Sequence, residues 1–298
     1  MEVSAERLKV KLGLPSNLFA KLSFENSLTR VWRLNPEAVE LVLDKPHVKV
    51  EELENGRKLE VKFKEILGSL SPKREISAHA NFQKVNPSSL TALKSNRNLR
   101  IFEECFRISA EVEAKVLVAH PGWFPLMSRI PWIGGIIKKK AWTVLLDFMK
   151  ICLNFSENYG VPLGLENVHG KRSPFSLPHQ ASRLPETLGN LKFTFDLGHA
   201  YIEARKRLKI ARGEVERWVA EEMVNHLKGK LVHVHLHDNR GLKDNHLPPG
   251  EGEMDFNPLI EALKELDFQG QVILEIWNPG NPEIAGKKAL KEARKILA

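Results

Sequence analysis

Residues 231–235 read LVHVH, a short apolar run that ends on a histidine. An apolar run that ends on a metal-binding residue type occurs six times: REISAH to His79, KVLVAH to His120, PLGLE to Glu166, KFTFD to Asp196, LVHVH to His235 and VILE to Glu275. Because successive side chains of a strand point to opposite faces, the apolar ones can pack on outer helices while the terminal residues face inward. This pattern predicts a parallel barrel that holds metal at the carboxyl ends of its strands.

Strand-like and helix-like segments alternate along the whole chain. The strands are expected within residues 7–14, 38–44, 75–79, 115–120, 161–166, 191–197, 231–237 and 271–276. The helices are expected near 18–34, 59–70, 97–114, 138–158, 213–228, 257–266 and 283–297. Eight strand–helix units in 298 residues predict a (β/α)₈ barrel, which typically needs about 250 residues. The whole chain, 1–298, is therefore expected to form one domain. An open doubly wound sheet is the alternative, but no glycine-rich turn follows the first strand.

The composition limits the classes of partner. The 45 basic and 37 acidic residues leave a net charge of +8, which attracts polyanions or phosphorylated substrates, although a lysine-rich surface chosen for solubility would look the same. No apolar run reaches the roughly 18 residues of a membrane span, so no membrane partner is expected. The charged N-terminus lacks a signal peptide and the two cysteines indicate buried free thiols, so a cytoplasmic location is expected.

Three further ligand candidates stand just beyond strand ends. His199 follows Asp196 in DLGH, and Asp244 and His246 form a D-x-H pair in the loop after the seventh strand. With the six strand-end residues they make nine oxygen and nitrogen ligands without a thiolate, a set that suits zinc, manganese or iron. His233 and His237 share the parity of His235, and periodicity leaves open which of the three binds metal. His169 is expected to be a loop or surface residue.

The chain resembles a known superfamily at these positions. The motifs SAHANF, VAHPGWF, LENVHG, FDLGHA, HLHDN…KDNHLPPGEG and VILEI, between residues 76 and 277, occur in the order of the xylose isomerase-like barrels, and most closely in the endonuclease IV branch. The resemblance implies a core metal site of Glu166, Asp196, His235 and Glu275. It also implies the additional zinc ligands of endonuclease IV, which are His79, His120, His199, Asp244 and His246. About three zinc ions are then expected.

The resemblance implies a deoxyribonuclease IV-like hydrolase that acts in DNA repair on abasic or damaged DNA. Metal-bound water would attack the phosphodiester, and no Ser/His/Asp triad or reactive cysteine is evident. The alternative is a sugar or sugar-phosphate isomerase or epimerase with one divalent ion, zinc, manganese or magnesium. In that alternative Glu166 and Glu275 are the catalytic acid and base. A non-enzymatic binding barrel is a third reading.

Cationic and aromatic residues in the loops at the barrel mouth are expected to bind substrate. They are Phe82, Arg129, Lys171, Arg172, Arg240 and Trp277. Residues 121–142, PGWFPLMSRIPWIGGIIKKKAW, form an unusually long connection directly after His120, and long loops in compact domains often bind ligands. The alternative is that its apolar residues only cap the barrel while its lysines begin a solvated helix.

Overall fold

The computed structural model describes residues 8–54, 57–94, 96–185, 188–211 and 213–298. Its strands are β1 Lys11–Pro15, β2 Ala38–Val42, β3 Glu75–His79, β4 Leu117–Ala119, β5 Leu163–Glu166, β6 Lys192–Asp196, β7 Leu231–Leu236 and β8 Gln271–Leu274. Each strand pairs in parallel with its neighbours, and β1 also pairs with β8, so the sheet closes. The predicted (β/α)₈ barrel is confirmed, although residue 7 of the first predicted strand lies outside the described residues.

Helices surround the barrel. They are α1 Phe24–Arg33, α2 Val50–Glu54, α3 Arg57–Ser69, α4 Asn96–Glu111, α5 Gly134–Tyr159, α6 Leu197–Leu208, α7 Val215–Leu227, α8 Asn257–Glu265 and α9 Pro282–Ile296. The sequence did not predict α6, because residues 197–204 are buried on every side and show no amphipathic period. Within the described part of the chain, no helix has both the length and the apolar character that crossing a bilayer requires.

The outward side of the late strands carries the apolar residues that alternation predicted. Phe193 and Phe195 on β6, Val234 and Leu236 on β7, and Val272 and Leu274 on β8 are all buried. Burying a large apolar side chain contributes about 1.5–3 kcal/mol. This layer therefore stabilises the contact between the barrel and the helices. The alternate residues of each strand point into the barrel interior.

The barrel interior is polar below the level of the predicted ligands. Its buried residues include Glu40, Ser77, Thr194, His233 and Gln271. Bulky branched apolar residues usually fill this layer of a (β/α)₈ barrel. Here Glu40 Oε2 accepts hydrogen bonds from His233 Nε2 at 3.0 Å and His235 Nε2 at 3.2 Å. The polar layer is therefore hydrogen-bonded to His235, a predicted metal ligand at the carboxyl end of β7.

Candidate functional site

A cavity of about 610 Å³ opens at the carboxyl ends of the strands. Active sites of (β/α)₈ barrels lie at this face, because the loops that follow the strands converge there. The predicted ligands that line the cavity are His79, His120, Glu166, His199, Asp244 and Glu275. All nine predicted ligands belong to groups whose donor atoms lie within 4.8 Å of one another. The structure therefore brings the nine predicted ligands together at the carboxyl ends of the strands, and their role as metal ligands stays a prediction.

Glu166 lies between two of these groups. Its Oε2 is 3.1 Å from His79 Nε2 and 3.0 Å from His120 Nε2. Its Oε1 is 3.4 Å from His235 Nδ1. One carboxylate therefore contacts both the His79–His120 pair and the group formed by Glu166, Asp196, His235 and Glu275, a geometry that suits a bridging ligand.

The third group surrounds Asp244. Its Oδ2 is 3.2 Å from His246 Nε2 and 3.5 Å from His199 Nε2. His169 Nε2 approaches the same oxygen at 3.1 Å. His237, a further member of the group, donates from Nε2 to Asp196 at 3.1 Å. Asp244 is therefore in contact with imidazole rings from the loop after β5, from the first turn of α6 and from its own loop after β7.

The histidine hydrogen bonds test whether a metal ion fits here. His79, His199 and His246 each place Nδ1 3.0 Å from a backbone carbonyl, of Ala80, Asn167 and Glu275 respectively. When Nδ1–H donates to a carbonyl, the lone pair of Nε2 faces the carboxylates, which is the usual arrangement of a metal-binding histidine.

His235 also directs one ring nitrogen at the carboxylates, but in this residue that nitrogen is Nδ1 and Nε2–H makes the orienting hydrogen bond. Its Nε2–H donates to Glu40, and its Nδ1 is buried without a hydrogen-bond partner between Glu166 Oε1 and Glu275 Oε1, at 3.4 and 3.5 Å. Zinc binds both carboxylate oxygens and imidazole nitrogens, whereas manganese and magnesium favour carboxylate oxygens. The donor set therefore fits a divalent ion.

The buried carboxylates of the cluster require positive charge beside them, as the pKa values of its residues indicate. Burial alone would lower the pKa of His79, but its hydrogen bond to Glu166 and the charge of that carboxylate raise the pKa to about 9. Burial likewise opposes ionisation of Asp196, yet the neighbouring His199 and His237 lower its pKa to about 2. Buried carboxylates are costly without a compensating cation. Protons on the histidines or bound divalent ions supply that compensation.

The start of α6 aims His199 at the cluster. Asp196 ends β6 and caps the helix, because its Oδ1 accepts from the backbone N–H of His199 at 2.6 Å. Gly198 between them allows the His237 ring to approach closely. A Cβ atom at position 198 would lie 2.2 Å from His237 Cε1. The DLGH motif therefore combines two ligand candidates, a helix cap and a glycine required by packing.

Asp238 organises the loop that carries Asp244 and His246. Its buried carboxylate accepts backbone N–H groups from Asn239, Gly250, Gly252 and Met254 at 2.8–3.1 Å. A Cβ atom at Gly252 would lie 2.1 Å from Asp238 Oδ1, so a side chain there would displace the carboxylate. The loop therefore folds back on the end of β7 and directs its two ligand candidates inward.

The predicted substrate-binding residues separate into two sets. Phe82, Arg172 and Trp277 line the cavity. Phe82 stacks on His120 with ring centroids 4.6 Å apart, and Trp277 stacks on His246 at 4.2 Å.

Lys171, Arg129 and Arg240 lie elsewhere. Lys171 lines a neighbouring cleft with Lys138 and Lys139 of the long connection. Arg129 is exposed at the end of a 3₁₀ turn, and Arg240 donates from Nε to the Glu251 carbonyl. Neither of the last two lines the cavity.

Three further residues lie in or beside the site: Glu40 was not identified from the sequence, His237 was left open as a metal ligand, and His169 was not assigned to the site. Alternation in AVELV places Glu40 on the inward face, a signal that was available and unused. His237 shares the inward parity of His235. His169 was expected to be a loop or surface residue; it lies in the loop after β5, half-buried, where its ring is 5.1 Å from the His199 ring and it lines the cavity. No local pattern marks a loop histidine of this kind.

Comparison with known proteins places this geometry in a family. Residues 31–298 match the family model described as xylose isomerase-like TIM barrel. The uncharacterized protein MJ1311 of Methanocaldococcus jannaschii is 27% identical over 297 residues, 97% of this chain and 91% of that protein. The inosose isomerase of Bacillus velezensis is 24% identical over 225 residues, 70% of this chain and 74% of that protein. The solved structure of a D-tagatose 3-epimerase-like protein has a TM-score of 0.75 and 25% identity, covering 97% of this chain and 98% of that chain.

These comparisons overturn the expectation of a DNA-repair endonuclease. Of the three similar proteins named above, the two whose names state an activity are an isomerase and an epimerase-like protein, and an inosose dehydratase of Histophilus somni is also similar, at 25% identity over 168 residues. The resemblance to the superfamily is confirmed, but the assignment to its endonuclease IV branch is not. Phosphodiester hydrolysis and a DNA partner are therefore abandoned in favour of the alternative, an isomerase or epimerase.

Proposed function

The chain belongs to the xylose isomerase-like TIM barrel family, and on that premise we propose that it is a divalent-metal-dependent isomerase or epimerase of a keto sugar. The observation that carries the proposal is the pairing of Glu166 and Glu275 across His235 Nδ1, at 3.4 and 3.5 Å. Two carboxylates at one buried point supply the acid and the base that proton movement between neighbouring carbons requires.

Glu166, Asp196, His235 and Glu275 would hold the ion, which supplies Lewis-acid polarisation of the substrate's carbonyl and hydroxyl oxygens. One glutamate accepts the proton from the carbon beside the carbonyl. The other glutamate donates a proton to the opposite face of that carbon in epimerisation, or a proton returns to the adjacent carbon in isomerisation. The donor atoms of the two glutamates lie within 4.8 Å of each other, which suits two groups that act on one or two adjacent carbons.

The remaining cavity lining suits a sugar. Phe82, Trp123 and Trp277 offer apolar surfaces, and Asn17 and Gln83 offer amide groups for hydroxyl recognition. Hydrogen-bonding groups placed among aromatic walls are the usual composition of a small-molecule site. This composition supports a polar ring or chain compound bound beside the carboxylates.

Solvent deuterium exchange tests the proposed function. Protein loaded in turn with manganese, magnesium, cobalt or zinc is incubated in D₂O with D-fructose, D-tagatose, D-psicose and their terminal phosphate esters. We expect deuterium at the carbon beside the carbonyl, together with an epimer or aldose product, detected by NMR. Absence of exchange in every sugar with every metal would contradict the proposal, since proton abstraction precedes both reactions.

The number of bound ions is a separate prediction. The isomerase alternative stated above needs only one ion, but the His79–His120–Glu166 and His199–Asp244–His246 sets have the same donor chemistry as the four-residue group, so we expect about three ions per chain in place of that single ion. Elemental analysis after purification without chelator measures the number. Asp244→Ala with His246→Ala should remove one ion and leave the ion of the four-residue group in place. A wild-type content of one ion, unaltered by this double change, would show that only one group binds metal.

A further inference from the structure

Two cations line the cavity without an internal counter-ion. Lys84 follows β3 and Arg172 follows β5, and both residues line the cavity. Among the described residues, no carboxylate lies within 4.0 Å of either charged group. In contrast, Arg205 is paired with Glu253 at 2.6 Å and Arg207 with Glu203 at 2.6 Å. The cavity therefore offers two positive charges that the described protein side chains do not neutralise.

The loop structure holds the chain segments that carry these two cations on one wall. Asn86, two residues after Lys84, binds both the N–H and the carbonyl of Trp123 at 2.9 and 3.0 Å. The next residue, Phe124, accepts from Arg172 Nη1 at 3.0 Å and donates its N–H to the Arg172 carbonyl at 2.8 Å. The connections after β3, β4 and β5 are thereby tied together, with Trp123 between the segments that carry the two cations.

The acidic residues of the cavity do not offset this charge. Glu166 and Asp244 each contact two or more imidazole nitrogens, and Glu275 contacts His235 and His246 at 3.5 Å. These carboxylates are also the proposed ligands of the divalent ion, so their charge is taken up within the cluster.

The surroundings increase the positive potential on the same side. A cleft of about 580 Å³ on the other side of the Phe124–Arg172 pairing is lined by Lys138, Lys139, Lys171 and Arg183. Residues 114–146, which include the whole connection after β4, contain no aspartate or glutamate. A site edged by charges of one sign attracts ligands of the opposite sign.

We propose that the substrate is a phosphate ester of a sugar, with its phosphate held between Arg172 and Lys84 on the wall formed by the connections after β3, β4 and β5. This inference rests on the proposed isomerase or epimerase function and specifies its substrate class. The guanidinium presents a planar fork of donors that matches phosphate oxygens, and the ammonium adds a mobile point charge. The sugar end of the ligand then extends toward Glu166 and Glu275.

Binding calorimetry on the metal-loaded protein tests this substrate class without requiring turnover. The probes are D-fructose 6-phosphate, D-fructose and inorganic phosphate, and the variants are Lys84→Gln, Arg172→Gln and Arg172→Lys. We expect the ester to bind at least tenfold more tightly than the free sugar. Each Gln variant should weaken ester binding on the order of 10- to 100-fold, the range of a charge-assisted hydrogen bond, while D-fructose binding stays within about twofold.

Controls separate charge from folding. Lys291→Gln removes an exposed charge on α9 outside the cavity and should leave ester binding unchanged. Lys84→Gln loses no side-chain hydrogen bond among the described residues, so it remains informative even if Arg172→Gln unfolds. Arg172→Lys should recover part of the affinity, since it restores the charge without the fork.

The outcomes are distinct. Equal affinity for D-fructose and its ester, or an ester affinity that neither Gln variant changes, would overturn the proposed phosphate position. Inorganic phosphate that binds as tightly as the ester would also overturn it, because the sugar would then contribute nothing. Ester binding that depends on both cations, combined with no deuterium exchange in any sugar, would support this site while contradicting the proposed function.

Discussion

Glu166→Gln and Glu275→Gln are each expected to reduce kcat for sugar interconversion by about 100- to 10,000-fold, the usual contribution of a positioned acid or base. Glutamine keeps the size of the side chain but neither accepts nor donates the required proton. Both carboxylates are almost fully buried beside His235, so solvent does not readily replace the missing group. The measurement is single-turnover and steady-state kinetics on each variant.

Metal analysis of the same variants separates loss of proton transfer from loss of the ion. Glu275→Gln removes one oxygen donor of the four-residue group, and an excess of metal in the assay restores occupancy if binding is merely weakened. Glu292→Gln on α9 is a matched control at the helical surface and should keep full activity. Variants that retain wild-type kcat with the ion bound would exclude Glu166 and Glu275 as the acid and base.

Glu40→Leu is expected to lower the free energy of unfolding by about 3–5 kcal/mol, the cost of removing one partner of a buried charged contact. The change leaves the Nε2 groups of His233 and His235 without their acceptor in the barrel interior. It also removes the contact that orients His235 toward the metal group. Loss of such an outer contact typically weakens metal affinity about 10- to 100-fold.

Urea unfolding and metal titration measure the two effects of Glu40→Leu. Ser77→Ala is a matched control, because Ser77 Oγ lies in the same layer but is 3.5 Å from Glu40 Oε2, too far for a strong hydrogen bond. Its expected cost is below about 1 kcal/mol. Unchanged metal affinity in Glu40→Leu would mean that packing alone orients His235.

The error about substrate has a physical origin in the type of signal used. Strand-end residues such as Asp196 and His235 offer the oxygen and nitrogen donors that a divalent metal ion binds. Isomerases and phosphodiesterases both place such donors at this end of a barrel, so the motifs specify the ion more strongly than the reaction. Substrate choice depends on loop residues such as Arg172 and Trp123, whose relation arises from hydrogen bonds between different connections.

The sequence by itself determined the closed barrel and the convergence of the candidate metal ligands at the carboxyl ends of its strands. Two-residue periodicity in segments such as LVHVH assigns each side chain to a face, and parallel strands bring their carboxyl ends together. Only the tertiary structure decided that His235 is shared between Glu40 below and Glu166 above, that His237 joins the cluster around Asp244, and that His169 lines the cavity. These contacts join residues up to 195 positions apart, and such pairings depend on barrel closure and loop packing, which local periodicity does not encode.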